Sequence, residues 1–286
     1  MHHVTANGID FAYVEHGDGP LALLLHGMAE TPRVFRHLMP VLAEAGYRAV
    51  APAMRGYAPT QVPPEGSMKL ADLIADANAL HDELGGDENA VIIGTDWGAY
   101  TTWGAATAAP ERWAKVVAAG IPPLRFMRPL DPEMIHKLGH FFFFQMGVAD
   151  QIVRQDDFAY FDWQWRYWSG TKPGADLASD LEAGKNALRE PENLRMALEA
   201  YRQNFPIATF GTDRWEAGPL LAELPAQPTL YLHGTEDPSV DAKTLADIVA
   251  ALPPGSDGVM LDGVGHFPFI ESPEEVNELV RAFLAP

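Results

Sequence analysis

Cysteine is absent from the 286 residues, which removes disulfides, thiolate metal sites and thiol nucleophiles together. Basic residues are scarce: 20 Lys and Arg stand against 39 Asp and Glu, for a formal net charge of −19. Such a field repels phosphate backbones and anionic headgroups, so neither nucleic acid nor a membrane surface is an expected partner. No apolar run approaches the roughly 20 residues needed to span a bilayer, and residues 1–11 lack the basic start and apolar stretch of a signal peptide. A cytoplasmic location and a monomer or homodimer are the resulting expectations. What the chain does have is 47% hydrophobic and 21% charged residues, enough apolar surface for a sizeable core. His2 and His3 are set aside from site reasoning.

Short apolar runs alternate with helical patterns. Leu21–Leu25, Arg48–Pro52, 90–93, Lys115–Ala119, 229–232 and 259–261 read as buried strands. Helical periodicity is expected over 31–45, 68–84, Trp97–Ala108, 243–252 and Pro273–Leu284. Strands separated by helices require crossovers, hence a mostly parallel, helix-covered sheet of the α/β class. The alternation stops between about 122 and 214. This stretch is expected to be an inserted helical cap, leaving 1–121 and 215–286 as the core. Of the chain's 14 Phe, 7 Trp and 8 Tyr, 11 lie between 141 and 168. Phe141 and Trp163 from that segment, with Trp97, are expected to line an apolar substrate pocket at the junction of cap and core.

The strongest chemical signal is Gly94-Thr95-Asp96-Trp97-Gly98, where a buried strand gives way directly to a helix. The pattern G-x-Nu-x-G builds a sharp turn that holds its central side chain above the sheet. Here that side chain is a carboxylate, at a helix N-terminus that favours its anion, and the Trp97 amide can face a developing oxyanion. A carboxylate that attacks an alkyl carbon forms an ester on the enzyme, and activated water must then hydrolyse it.

Two more elements follow late strands. Leu232-His233-Gly234-Thr235-Glu236-Asp237 ends a strand with acids, and Gly263-Val264-Gly265-His266-Phe267 sets a histidine in a glycine-flanked loop. His266 is the natural base for water because its ordinary pKa lies near neutrality. Asp237 is the expected orienting acid, with Glu236 the weaker choice; after the Lys115–Ala119 strand no acid occurs before Asp131. His26-Gly27-Met28 supplies a loop whose Met28 amide can pair with that of Trp97 as an oxyanion hole.

These residues, with Arg55-Gly56-Tyr57, resemble the α/β-hydrolase superfamily over nearly the whole chain, and within it the epoxide hydrolase and haloalkane dehalogenase branch that uses an aspartate nucleophile. The resemblance implies a covalent ester on Asp96, water activated by His266 with Asp237, and no cofactor. In epoxide hydrolases the cap supplies two groups to the leaving oxygen, either two tyrosines or a histidine and a tyrosine. Tyr201 in Ala200-Tyr201-Arg202 matches one, and His140 before Phe141-Phe142-Phe143-Phe144 matches the other. The implied substrate is a small, neutral, hydrophobic epoxide.

The resemblance leaves two alternatives. Haloalkane dehalogenases share the tryptophan at Trp97 but usually add an Asn near the His-Gly loop or a cap tryptophan. Here Met28 has no side-chain donor, and only Trp163, Trp165 or Trp168 is available. Haloacid enzymes of the branch clamp a carboxylate with arginines after the nucleophile, and no Lys or Arg occurs between Trp97 and Pro110. A non-catalytic ligand-binding protein of this fold is the other alternative. His136 and His140 stand at i, i+4 as in a zinc helix, but Lys137 occupies the glutamate place, and no metal is expected. Ala29 stands where the family often has proline, Thr95 where a histidine is common, and Ala53 and Met54 where an acid often precedes Arg-Gly-Tyr.

Overall fold

The computed structural model describes residues 1–126, 132–172, 176–212, 215, 223–239 and 245–285. The expected cap boundary at Arg214, the helix start at Lys243 and the position of Asp131 lie outside these residues.

Among the described residues eight strands form one sheet in the order β1-β2-β4-β3-β5-β6-β7-β8. They are β1 (His2–Ala6), β2 (Ile9–His16), β3 (Leu21–Leu25), β4 (Arg48–Pro52), β5 (Val91–Thr95), β6 (Lys115–Ala119), β7 (Thr229–Gly234) and β8 (Asp257–Leu261). From β4 through β3 to β8 all neighbours are parallel. The β1–β2 hairpin joins β4 antiparallel. Every residue of β3, β5 and β7 is buried, as strands covered on both faces require. The hairpin lies outside the expected strands because β1 is largely exposed and β2 mixes buried, half-buried and exposed positions, a weaker signal than the continuous runs.

Among the described residues six helices accompany the sheet: α1 (Leu38–Glu44), α2 (Leu70–Glu83), α3 (Trp97–Ala108) and, after the cap, α9 (Leu245–Ala251), α10 (Pro268–Glu271) and α11 (Pro273–Leu284). The expected helix over 31–45 is divided instead into a 3-10 turn at Pro32–Phe35 and α1. Between β6 and β7 lie only helices among the described residues: α4 (Pro132–Lys137), α5 (Gly139–Phe143), α6 (Ala149–Trp168), α7 (Leu177–Ala187) and α8 (Pro191–Asn204). Within α6 the backbone leaves helical geometry at Gln155–Phe158. No helix among the described residues is long and apolar enough to cross a membrane.

Register sets the site. Leu25 pairs with Gly94, Thr95 with Ala119, and Gly234 with Leu261. The loops that leave β3, β5, β7 and β8 therefore emerge along one edge, the carboxyl ends of parallel strands, where open α/β sheets bind ligands.

Candidate active site

Asp96 sits between β5 and α3 with φ 51° and ψ −119°, a conformation that L-residues hold only when their surroundings enforce it. The flanking glycines make the turn possible. A Cβ on Gly98 would lie 1.9 Å from the Leu25 carbonyl oxygen, and one on Gly94 would lie 2.2 Å from the Gly98 oxygen. β5, the turn and β3 thus interlock too closely for any side chain.

The carboxylate is only 6% exposed. Its Oδ1 accepts the Met28 amide at 2.6 Å, and the Trp97 amide also donates to the carboxylate. Its Oδ2 lies 3.3 Å from His266 Nε2. On the far side of the imidazole, Nδ1 meets Asp237 Oδ2 at 2.8 Å, and Ser239 holds Asp237 Oδ1 through both its hydroxyl, at 2.6 Å, and its amide, at 2.8 Å. Glu236 points elsewhere, accepting from the Thr171 amide and hydroxyl.

Burial acts against each charge, yet the ion pairs outweigh it. Asp96 is held below the ordinary carboxyl range by His266 and the two amides, Asp237 is likewise held down by His266, and His266 is pushed well above the ordinary histidine value by its two carboxylates. In the resting state the imidazolium lies between two anions.

The cap closes over this set with rings. The Trp97 indole stands edge-on to Tyr201 with centroids 5.1 Å apart, Tyr201 to His140 at 5.6 Å, His140 to Trp168 at 5.1 Å, and Trp168 to His266 at 4.8 Å. The Trp97 indole N–H donates to the Tyr201 hydroxyl. Burial first, with the nearby Asp96 charge, raises Tyr201 well above the ordinary tyrosine value. Burial lowers His140 to about 3, and one of its ring nitrogens bonds to the Lys137 carbonyl. Both groups are therefore neutral at pH 7. The cavity they enclose with Asp96, Phe141 and Trp168 measures about 20 Å³, about the room one water needs.

Trp163 is not in this cavity. It is 55% exposed and borders a separate outer pocket of about 360 Å³, because its position on α6 faces away from the sheet edge while Trp165 and Trp168 face inward. Asp96, Met28, Trp97, Asp237, His266, Tyr201, His140 and Phe141 all come together at the sheet edge.

Several neighbours escaped the sequence reading. Glu271 on α10 accepts the amides of Gly265 at 2.9 Å and Phe267 at 2.9 Å, on either side of His266, and that of Gly170 at 2.7 Å. The His266 amide donates to the Trp168 carbonyl at 2.8 Å, so the end of α6 and the histidine loop are sewn together. Glu30 accepts the Gly27 amide at 2.6 Å, and burial with the Asp96 charge raises it to about 8. Arg55 pairs with buried Asp76 from α2, which supplies the acid that Ala53 and Met54 do not. Ala29 has φ 54°, a value the proline ring forbids.

A strained-turn carboxylate facing a histidine and a second acid across one sheet edge defines a hydrolase of the α/β class. A family model described as the alpha/beta hydrolase fold matches residues 20–273, and the chain belongs to that family. It is 30% identical to an epoxide hydrolase of Caballeronia sordidicola, over 98% of this chain and 92% of that protein. It is 31% identical to epoxide hydrolase A of Mycobacterium tuberculosis, over 98% and 96%. Among solved structures it resembles a Bacillus megaterium epoxide hydrolase in complex with an inhibitor, with a TM-score of 0.84, 25% identity and 99% coverage of both chains.

Proposed function

We propose that the chain is an epoxide hydrolase that opens a neutral, hydrophobic epoxide to a vicinal diol through an ester on Asp96. The observation that carries this reading is the placement of Tyr201 and His140 above the carboxylate, ring centroids 5.6 Å apart, with the Trp97 indole edge-on to Tyr201 at 5.1 Å. A leaving oxygen needs a proton, and a phenol polarised by an indole N–H supplies it.

In the first step an Asp96 oxygen attacks an epoxide carbon, the C–O bond of the ring breaks, and the alkoxide takes the Tyr201 proton. Neutral His140 is the second hydrogen-bond donor, in the tautomer that releases the Lys137 carbonyl. The His266 proton then restores Tyr201. Esterification removes the Asp96 charge that had raised His266, so the imidazole becomes a base at the moment a base is required. Water gives a proton to His266 as it attacks the ester carbonyl, whose oxyanion rests on the Met28 and Trp97 amides. Collapse releases the diol and regenerates the Asp96 carboxylate beside imidazolium.

The test is Asp96→Asn against wild type on a panel of styrene-oxide-like substrates. Diol formation is expected to fall by about 10³-fold or more. An Asp96→Asn variant that retains wild-type turnover overturns the mechanism, and release of halide from haloalkanes with no epoxide turned over overturns the substrate class.

A further inference from the structure

The Met28 amide that holds Asp96 Oδ1 at 2.6 Å belongs to a loop under strain. Ala29, the next residue, has φ 54°, a left-handed conformation that a residue with a Cβ keeps only where its surroundings enforce it. From inside the loop, Glu30 accepts the Gly27 amide at 2.6 Å. From outside, the Ala29 carbonyl is met by the cap. Gly184 is buried within α7, although a helix interior disfavours glycine. A Cβ there would lie 1.7 Å from the Ala29 carbonyl oxygen and 3.4 Å from the Glu30 nitrogen, so the glycine lets the helix backbone rest directly on the loop. One turn earlier on the same face of α7, Asp180 closes the junction. Its buried Oδ1 meets Arg36 Nη1 at 2.6 Å and Arg33 Nε at 3.0 Å. Arg33 lies in the 3-10 turn that follows the loop and Arg36 caps its end, so the carboxylate draws the chain after Ala29 onto the helix that seats Ala29 itself.

We propose that Gly184 and Asp180 are positioning residues: through them the cap helix α7 braces the Ala29 carbonyl and fixes the Met28 amide for hydrolysis of the ester. This rests on the Asp96 reading for the step affected. In ring opening Asp96 Oδ1 passes from a carboxylate oxygen to an ester carbonyl and sheds charge, so a strong Met28 donor does not speed that step. In hydrolysis the same oxygen becomes an oxyanion, and there the donor is worth most. A displaced Met28 amide therefore slows the second step, whereas a loosened cap also disturbs the first, because the cap carries His140 and Tyr201.

The experiment compares wild type, Gly184→Ala, Asp180→Asn and, as a control, Lys185→Gln, which breaks the pairing of α7 with Asp162 at 2.6 Å and leaves the loop face untouched. Single-turnover kinetics on styrene oxide separate ester formation from ester hydrolysis. Gly184→Ala is expected to slow hydrolysis by about 10- to 10²-fold, short of the roughly 10²- to 10³-fold of an oxyanion donor removed outright, with ring opening within about 2-fold of wild type. Asp180→Asn keeps the shape and loses the charge, and is expected to slow hydrolysis by about 3-fold. Lys185→Gln is expected to keep the wild-type ratio of the two rates. A second readout needs no turnover. With methionine amides isotopically labelled, the Met28 amide proton resonates far downfield through its short bond to Asp96, and it is expected to move upfield in Gly184→Ala and to stay in place in Lys185→Gln. A wild-type ratio of the two rates in Gly184→Ala, or an unmoved Met28 resonance, overturns the brace; if that variant does not fold, Asp180→Asn is read by the same two criteria. If wild type turns over no epoxide while the Met28 resonance still moves in Gly184→Ala and not in Lys185→Gln, the Asp96 reading fails and the brace stands.

Discussion

The two walls of the small chamber are held by different forces. On the sheet side every charge has a directional partner: Met28 and Trp97 amides on Asp96, Asp237 and Asp96 on His266, Ser239 on Asp237. On the cap side the groups are neutral, and Tyr201, His140, Phe141 and Trp168 are placed chiefly by edge-to-face ring packing. Hydrogen bonds to buried ions fix position within a fraction of an ångström, whereas ring packing tolerates small shifts. On the proposed mechanism the sheet wall serves the bond-making step and the cap wall chooses and protonates what enters.

The largest effect that tests this contrast is His266→Gln. Hydrolysis of the ester is expected to slow by roughly 10²- to 10⁴-fold while ring opening continues, so intact mass spectrometry detects the protein plus one substrate. A variant that accumulates no adduct and keeps turnover would remove His266 from the second step. On the cap wall, Tyr201→Phe deletes a single neutral donor and is expected to slow ring opening by about 10²-fold, seen in the pre-steady-state rate of ester formation with the hydrolysis rate little changed. Equal losses in both steps would show that the two walls are not separable.

Glu271 joins the walls, since its carboxyl accepts amides from the histidine loop and from Gly170 at the end of the cap helix. Glu271→Ala leaves two buried N–H groups and one half-buried one unpaired, at about 1–3 kcal/mol for each that finds no water. Its Tm is expected to drop by roughly 5–10 °C and the hydrolysis step to slow more than ring opening, with Glu271→Gln recovering part of both. Identical loss in the two steps would reduce Glu271 to a purely stabilising residue.

The smallest effect is a slope in pH. Burial holds His140 near 3 and His26 near 4, against an ordinary 6.5. Between those values the unfolded chain binds protons that the folded chain refuses, so this contribution to stability is complete above about pH 6.5 and is lost as pH falls towards 4 and then 3. Thermal melts from pH 7.5 to 4.5 are expected to show a shallower decline in His140→Gln than in wild type. An unchanged decline would mean that His140 is not held neutral by the cap.

The sheet side was largely legible in the chain. Asp96, His266, Asp237 and the Met28 loop are each announced by a strand that stops at a glycine-bearing turn, and parallel strands deliver such turns to a common edge. The cap side was legible in composition but not in direction. The aromatic cluster from 141 to 168 was evident, yet Trp163 was expected over Asp96 and faces outward, because its place two residues before Trp165 on the same helical stretch puts it on the opposite face, and composition does not say which face meets the sheet. Glu271 gave no local signal, since it acts through backbone amides of two distant segments.

By itself, then, the sequence determined the order of strands and turns, and with it the placement of Asp96, His266, Asp237 and the Met28 and Trp97 amides along one sheet edge, because these follow from short-range rules of burial and turn geometry. The tertiary structure alone decided which aromatics enclose the carboxylate and that the Trp97 indole meets Tyr201 edge-on. Those are contacts between segments far apart in the chain, and only packing brings them within range.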